Sequence, residues 1–195
     1  MRGVETAATH PRAWAATRGI ERGGPLGCAL LGLLLILGCA GDLVAFEGGF
    51  RHRRHGYTLS VPEGSDPPWQ RVKIEGAAIA FRRRGPQTIS VQSSCRRSVT
   101  DPAILSRHLV IGIDGQLLQQ AGPAVVDGRS AWTQTFDTPG GVRIKTVTVV
   151  AGDCVVDWLL AARRGPGFED AERIFDAWWS ASRLPEEATG LGEGG

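Results

Sequence analysis

The sequence predicts a single α+β domain built on a mostly antiparallel sheet, preceded by a signal peptide and a short tether. Three observations predict it. Apolar and polar residues alternate with period 2 in several stretches after residue 50. Two other stretches, after Asp101 and from Phe168, carry apolar residues at helical spacing. Turn signals at Asp127-Gly128, Pro139-Gly140-Gly141 and Gly152-Asp153 link the later strands as hairpins, which pair antiparallel.

The chain divides into four segments. Residues 1–38 are expected to be a signal peptide, 39–49 a lipidated cysteine and tether, 50–184 the α+β domain and 185–195 a flexible tail. Leu26 to Leu37 carries no charge. Twelve residues are too few to span a bilayer, which needs ~20. They have the length of the apolar core of a secretory signal, with a net positive segment before them and small residues after. Ile36-Leu37-Gly38-Cys39 resembles the lipobox of bacterial lipoprotein precursors. That resemblance implies that Cys39 is alkylated with diacylglycerol, that the chain is cut before it, and that the new amino terminus is acylated, usually with palmitate. Ala40 follows where inner-membrane lipoproteins carry aspartate, so the implied address is the outer membrane, facing the periplasm. The ten residues after Cys39 reach at most ~35 Å, which keeps the domain close to the bilayer.

Within the domain, Tyr57, Leu59 and Val61 alternate up to Pro62. Val72 and Ile74, then Ile79 and Phe81, follow in the same manner. Ile89, Val91 and Cys95 share one strand face. Asp101-Pro102 starts a helix, with Asp101 as N-cap and Pro102 in the first turn. Leu105, Leu109, Ile113 and Leu117 extend its stripe. Val125 to Arg129 reads as a hairpin turn, continued by Trp132 and Phe136. Val142 to Val150 and Cys154 to Leu160 are the next strands. A helix from Phe168 to Ser182 closes the domain, with Glu169, Asp170 and Glu172 near its positive end.

Charge excludes one class of partner. Four arginines and two glutamates before Cys39 account for the whole net charge of +2, leaving 18 basic and 18 acidic residues in the exported part. A neutral domain lacks the uncompensated basic contacts that nucleic-acid affinity requires. Arginines still cluster, and Arg51, Arg53 and Arg54 begin 12 residues after Cys39. Each basic residue near anionic headgroups gains about 1 kcal/mol, so this run is expected to lie on the membrane surface.

Two cysteines remain after Cys39. Alternation places Cys95 with Ile89 and Val91, and Cys154 with Val156, Trp158 and Leu160, both on apolar faces. In an oxidising compartment such a pair is expected as a disulfide. No Cys-x-x-Cys or His-x-x-x-His spacing is present, so no metal site or cofactor is expected. His52, His55 and His108 have no orienting acid or nucleophile at recognisable spacing and read as solvated or half-packed. Nucleophile elbow, zinc-protease and phosphate-loop motifs are absent, so no catalytic residues and no enzyme are expected. Trp132, Trp158, Trp178 and Trp179 read as core residues.

The order of these elements resembles the PsbP-like fold of DcrB-type bacterial lipoproteins. The matching stretches are Gly56-Tyr57-Thr58-Leu59-Ser60-Val61-Pro62 with Trp69 behind it, Ile89 to Gln92, the pair Val142–Val150 and Cys154–Leu160, and Phe175 to Arg183. The resemblance implies an antiparallel sheet sandwiched by helices and an accessory or binding role without catalytic residues. The expected function is that of a non-enzymatic, membrane-anchored envelope lipoprotein that engages a protein partner. The alternative is a carrier of a small apolar or lipid ligand.

Overall fold

The structure, a computed structural model, describes residues 42–64, 66–83, 85–95, 101–111, 113 and 117–186. The leader and Cys39 lie outside the described residues, as do Arg84, Arg96 and Arg97. Three short strands, β1 (Leu43–Phe46), β2 (Gly49–His52) and β3 (Thr58–Ser60), form one sheet in that order. The main sheet has seven strands: β4 (Gln70–Val72), β5 (Ile79–Arg83), β6 (Gln87–Cys95), β7 (Leu117–Val126), β8 (Arg129–Asp137), β9 (Val142–Ala151) and β10 (Cys154–Arg163). Their spatial order is β4-β5-β6-β10-β9-β8-β7, and every pairing is antiparallel. The helices are α1 (Pro102–His108) and α2 (Pro166–Ser180).

The hairpin turns expected from the sequence are present. Asp127 and Gly128 adopt φ of 48° and 77°, the left-handed pair that a two-residue hairpin requires. Residues i and i+2 share a face of each strand, and register fixes which residues meet. Ile79, Val91, Trp158, Val147 and Thr133 form one row across the sheet. Phe81, Ile89, Leu160 and Lys145 form the next. Phe168, Ala171, Phe175 and Trp178 of α2 cover this face, and Trp158, Leu160, Val91, Val147 and Phe175 are fully buried. The opposite face carries Gln134, Thr146, Thr148 and Asp157, and α1 packs there on β8 and β9. The sheet is therefore covered by a helix on each side.

Carboxylates along α2 do more than complement its dipole. Asp170 pairs with Arg83 of β5, while Glu172 and Asp176 hold Lys145 Nζ at 2.8 and 2.9 Å. These pairs lie on the rim of the core and fix the helix over the sheet. Trp178 Nε1 donates to Ser60 O at 2.8 Å, and the Arg183 backbone pairs with Thr58, which joins the small sheet to the end of α2.

Three expectations are corrected. The segment 39–49 is not all tether, because the apolar Leu43–Phe46 pairs with Gly49–His52 across a turn at Gly48, φ 84°. The first helix ends at His108, with Leu109 as its C-cap, and does not run on to Leu117. Gly112 and Gly115 each cost a helix about 1 kcal/mol relative to alanine, and Leu117 finds backbone partners as the first residue of β7. Pro185, expected in the free tail, accepts a hydrogen bond from Arg129 through its carbonyl oxygen.

Candidate functional site

Alternation along β2 turns Arg51 outward and His52 inward. His52 is only 4% exposed. The chain then turns through Arg53 and Arg54 to Gly56, whose φ of 71° suits glycine, and re-enters the core at Tyr57. The turn folds the His55 ring back over the His52 ring, with centroids 4.2 Å apart and planes 12° from parallel. The His55 N–H donates to His52 Nδ1 at 3.1 Å. Ser93, on β6, meets His55 Nδ1 at 2.6 Å and the Tyr57 hydroxyl at 3.1 Å through its Oγ. Two residues further along β6, Cys95 is bonded to Cys154, which stands opposite it on β10.

A cleft of about 340 Å³ opens beside this group, lined by Asp42, Leu43, His52, His55, Ala78 and Ser93 among others. Burial, reinforced at His52 by the His55 charge, holds both imidazoles below the ordinary histidine value of 6.5. Burial also pushes the Tyr57 phenol up to about 12. At neutral pH the Tyr57–Ser93–His55 chain is therefore uncharged. Ser93 and His55 make the hydroxyl–imidazole contact that nucleophilic chemistry uses. The carboxylate that should orient the imidazole is lacking among the described residues, since Asp42 pairs with Arg54 Nε at 3.2 Å instead.

The sequence predicts that the histidines are solvated or half-packed. His108 is exposed, but His52 is buried and His55 is half-buried and hydrogen-bonded. No spacing rule could have found the cluster, because it joins a turn at 52–57 to strands 40 and 100 residues away. The predicted Cys95–Cys154 disulfide is present, with Cα atoms 3.9 Å apart. The ligand atoms of His55, Cys95 and Cys154 all lie within 4.8 Å of one another.

Arg51, Arg53 and Arg54 are exposed. They belong to a hairpin that also exposes Val44 and Phe46, and Val44 stands opposite Arg51. Of the other arginine clusters, Arg83 serves the packing of α2, and Arg164 approaches Asp137 at 3.8 Å. Trp158 and Trp178 are buried in the core, while Trp132 and Trp179 are half-buried.

A second region stands out at the far edge of the main sheet. β7 is its terminal strand, ten residues without a charge, and it exposes Leu117, Leu118 and Val125. Ile104 of α1 and Ile111 just after it are exposed as well. Pro123 sits within β7, and proline fits a sheet where its missing N–H faces away from the neighbouring strand. Alternation then directs the backbone groups of Ala121 and Val125 toward the open edge.

The architecture is PsbP-like. It is similar to the solution structure of cyanobacterial PsbP (CyanoP) from Synechocystis sp. PCC 6803, with a TM-score of 0.54 and 18% identity over 83% of this chain and 100% of that one. It is also similar to LpqN of Mycobacterium tuberculosis, a protein involved in cell envelope biogenesis, with a TM-score of 0.51 and 19% identity over 68% of this chain and 86% of that one. At these identities the likeness is one of fold. No protein-family model matches the chain, and no curated protein matches it.

Proposed function

We propose that this protein is a lipid-anchored accessory module of the cell envelope that binds an extended segment of another envelope protein along β7. The observation that carries this reading is the open edge of the main sheet. A terminal strand presents unpaired backbone groups on one side. Here that strand has no charge to repel a partner, and it carries large apolar side chains at Leu117, Leu118 and Val125. An added strand would take its main-chain hydrogen bonds from the edge and its specificity from those side chains. Among the described residues Trp158 is packed within the core, and Trp178, buried as well, borders only an open groove.

In this reading Cys39 carries the lipid and holds the domain at the outer membrane, facing the periplasm. LpqN, a protein of similar fold involved in cell envelope biogenesis, lends support to a place in the envelope. The strand Leu43–Phe46 shortens the free tether, since the three residue steps from Cys39 to Asp42 span at most ~11 Å. Arg51, Arg53 and Arg54, with Val44 opposite Arg51 and Phe46 at the turn end of the same hairpin, then meet the headgroup layer, basic side chains to the lipid phosphates and the aromatic ring to the interface. A ligand carrier has a narrower basis: the groove of about 320 Å³ between Val61, Ile174 and Trp178 is apolar in part but open.

Site-specific photo-crosslinking in native membranes tests the proposal. A probe at Leu118 should capture one partner that a probe at Arg173, exposed on α2, does not. Identical products from both positions, or none from Leu118, would sink it. The anchor is tested separately: Cys39→Ser should leave an unprocessed precursor, and a variant still processed and detergent-partitioning like the parent contradicts it.

A further inference from the structure

Cys95 closes β6 and Cys154 opens β10, so the disulfide sits at the end of its ladder and not deep within it. Cys95 is exposed and Cys154 half-buried, which leaves the bond open to a reductant. The two residues are direct cross-strand partners with Cα atoms 3.9 Å apart. Both side chains leave the sheet on one face, the face on which His55 lies. Breaking the S–S bond therefore frees two sulfurs that cannot separate far, because seven further residue pairs hold β6 against β10 on the strand side.

We infer that reduction of the Cys95–Cys154 disulfide converts this corner into a zinc-type metal site with Cys95, Cys154 and His55 as ligands. The chemistry of the donors suits the cation. Two thiolates and an imidazole, with water as a fourth ligand, make a tetrahedral Zn²⁺ site of the open kind. Metal–ligand bonds of ~2.3 Å to sulfur and ~2.0 Å to nitrogen set donor separations of ~3.5–3.8 Å around a tetrahedron. The three donor atoms already lie within 4.8 Å of one another, so small side-chain rotations suffice. The surroundings are those a metal-bound histidine needs. Its ring is held by a hydroxyl, Ser93 Oγ at 2.6 Å, and by stacking on His52 at 4.2 Å, and such outer partners orient a metal-bound ring.

The redox step balances with a dithiol donor. The donor gives two electrons and two protons, the Cys95–Cys154 bond breaks to two thiols, and the donor leaves as a disulfide. Zn²⁺ then displaces both thiol protons on binding. The site exists only in the reduced protein, so metal occupancy reports the thiol state of this corner. The sequence contains four cysteines in all, and the other two, Cys28 and Cys39, are removed from the question by substitution.

The experiment uses the full chain carrying Cys28→Ser and Cys39→Ser, in detergent micelles, titrated with Zn²⁺ against a chromophoric chelator. The phosphine-reduced protein should take up one equivalent at least about 100-fold more tightly than the oxidised protein, a margin at the top of what removing a mere outer partner costs. His55→Ala should lose that margin, and His55→Cys, which restores a donor, should recover it. Near-ultraviolet circular dichroism of the reduced, zinc-loaded chain should keep the native tryptophan signal. Equal binding by oxidised and reduced protein, parent-like binding by His55→Ala, or zinc uptake only with loss of the tryptophan signal each overturn the inference.

Discussion

The two faces of the seven-stranded sheet are built from the same strands and differ in almost everything else. The face beneath α2 is aliphatic and aromatic, with Trp158, Leu160, Val147 and Val149 fully buried and charged pairs only at its rim. The face beneath α1 buries Asp157, Thr146, Thr148, Gln134 and Ser106. Gln134 donates to Ser106 O and Thr148 to Asp157, but Thr146 Oγ1 and Ser106 Oγ have no partner among the described residues. A 15-residue helix covers the first face and a 7-residue helix the second. The difference teaches where stability and function divide. One face holds the fold together; the other tolerates polar burial and leaves apolar side chains exposed along α1 and β7.

That division can be broken most sharply on the α2 face. Phe175→Ala should destabilise the protein by about 3–5 kcal/mol, the usual cost of emptying an aromatic site in a packed core, read as a shift in denaturant midpoint. A loss under about 1 kcal/mol would mean that the face is not the seat of stability.

Asp157 sharpens the contrast on the other side. Burial pushes its carboxyl up from 3.8 to about 6, against the opposing pull of its hydrogen bonds from Thr148 and Gln92. A carboxyl whose folded pKa exceeds its unfolded one holds its proton more tightly in the folded state. Stability should thus fall as pH rises from about 4 to about 6 and level off above. Asp157→Asn should remove that slope and be more stable than the parent at pH 7, by about 2–3 kcal/mol. Denaturant curves across this range check both the slope and its loss. The histidine corner runs the opposite way: with both imidazoles held below 6.5, its contribution is present above that value and is lost as pH falls through the folded values. Replacing His52 by Gln should flatten the acid side of the same curves.

The smallest effect belongs to the exposed edge. Leu118→Gln should change stability by no more than about 0.5 kcal/mol, since the side chain is 59% exposed, while weakening partner capture. A large stability loss there would make β7 part of the core and not a docking edge.

Much of the α2 face was legible in the sequence. Ile89, Val91, Trp158 and Leu160 fall at strict alternation, and Phe168, Phe175 and Trp178 at helical spacing, because one face of each element is apolar without interruption. The same alternation placed Cys95 and Cys154 on one layer. On the α1 face the apolar pattern and the structure disagree. Leu105, Leu109, Ile113 and Leu117 have helical spacing, yet Leu117 belongs to a strand, because backbone pairing with β8 outweighs a stripe weakened by two glycines. β1 was hidden for a similar reason: four consecutive apolar residues near a leader carry no period. The His55–Ser93–Cys95 corner was illegible altogether, since its members meet only through strand register.

Amide hydrogen exchange on β7 tests the central claim most directly. In the purified, detergent-solubilised protein, the Ala121 and Val125 amides face the open edge and should exchange fast. In native membranes, with the partner strand added, both should be protected while the amide of Gly85, an exposed residue in the β5–β6 turn, is unchanged. Equal exchange at Ala121 and Val125 in the two preparations would contradict strand addition at this edge.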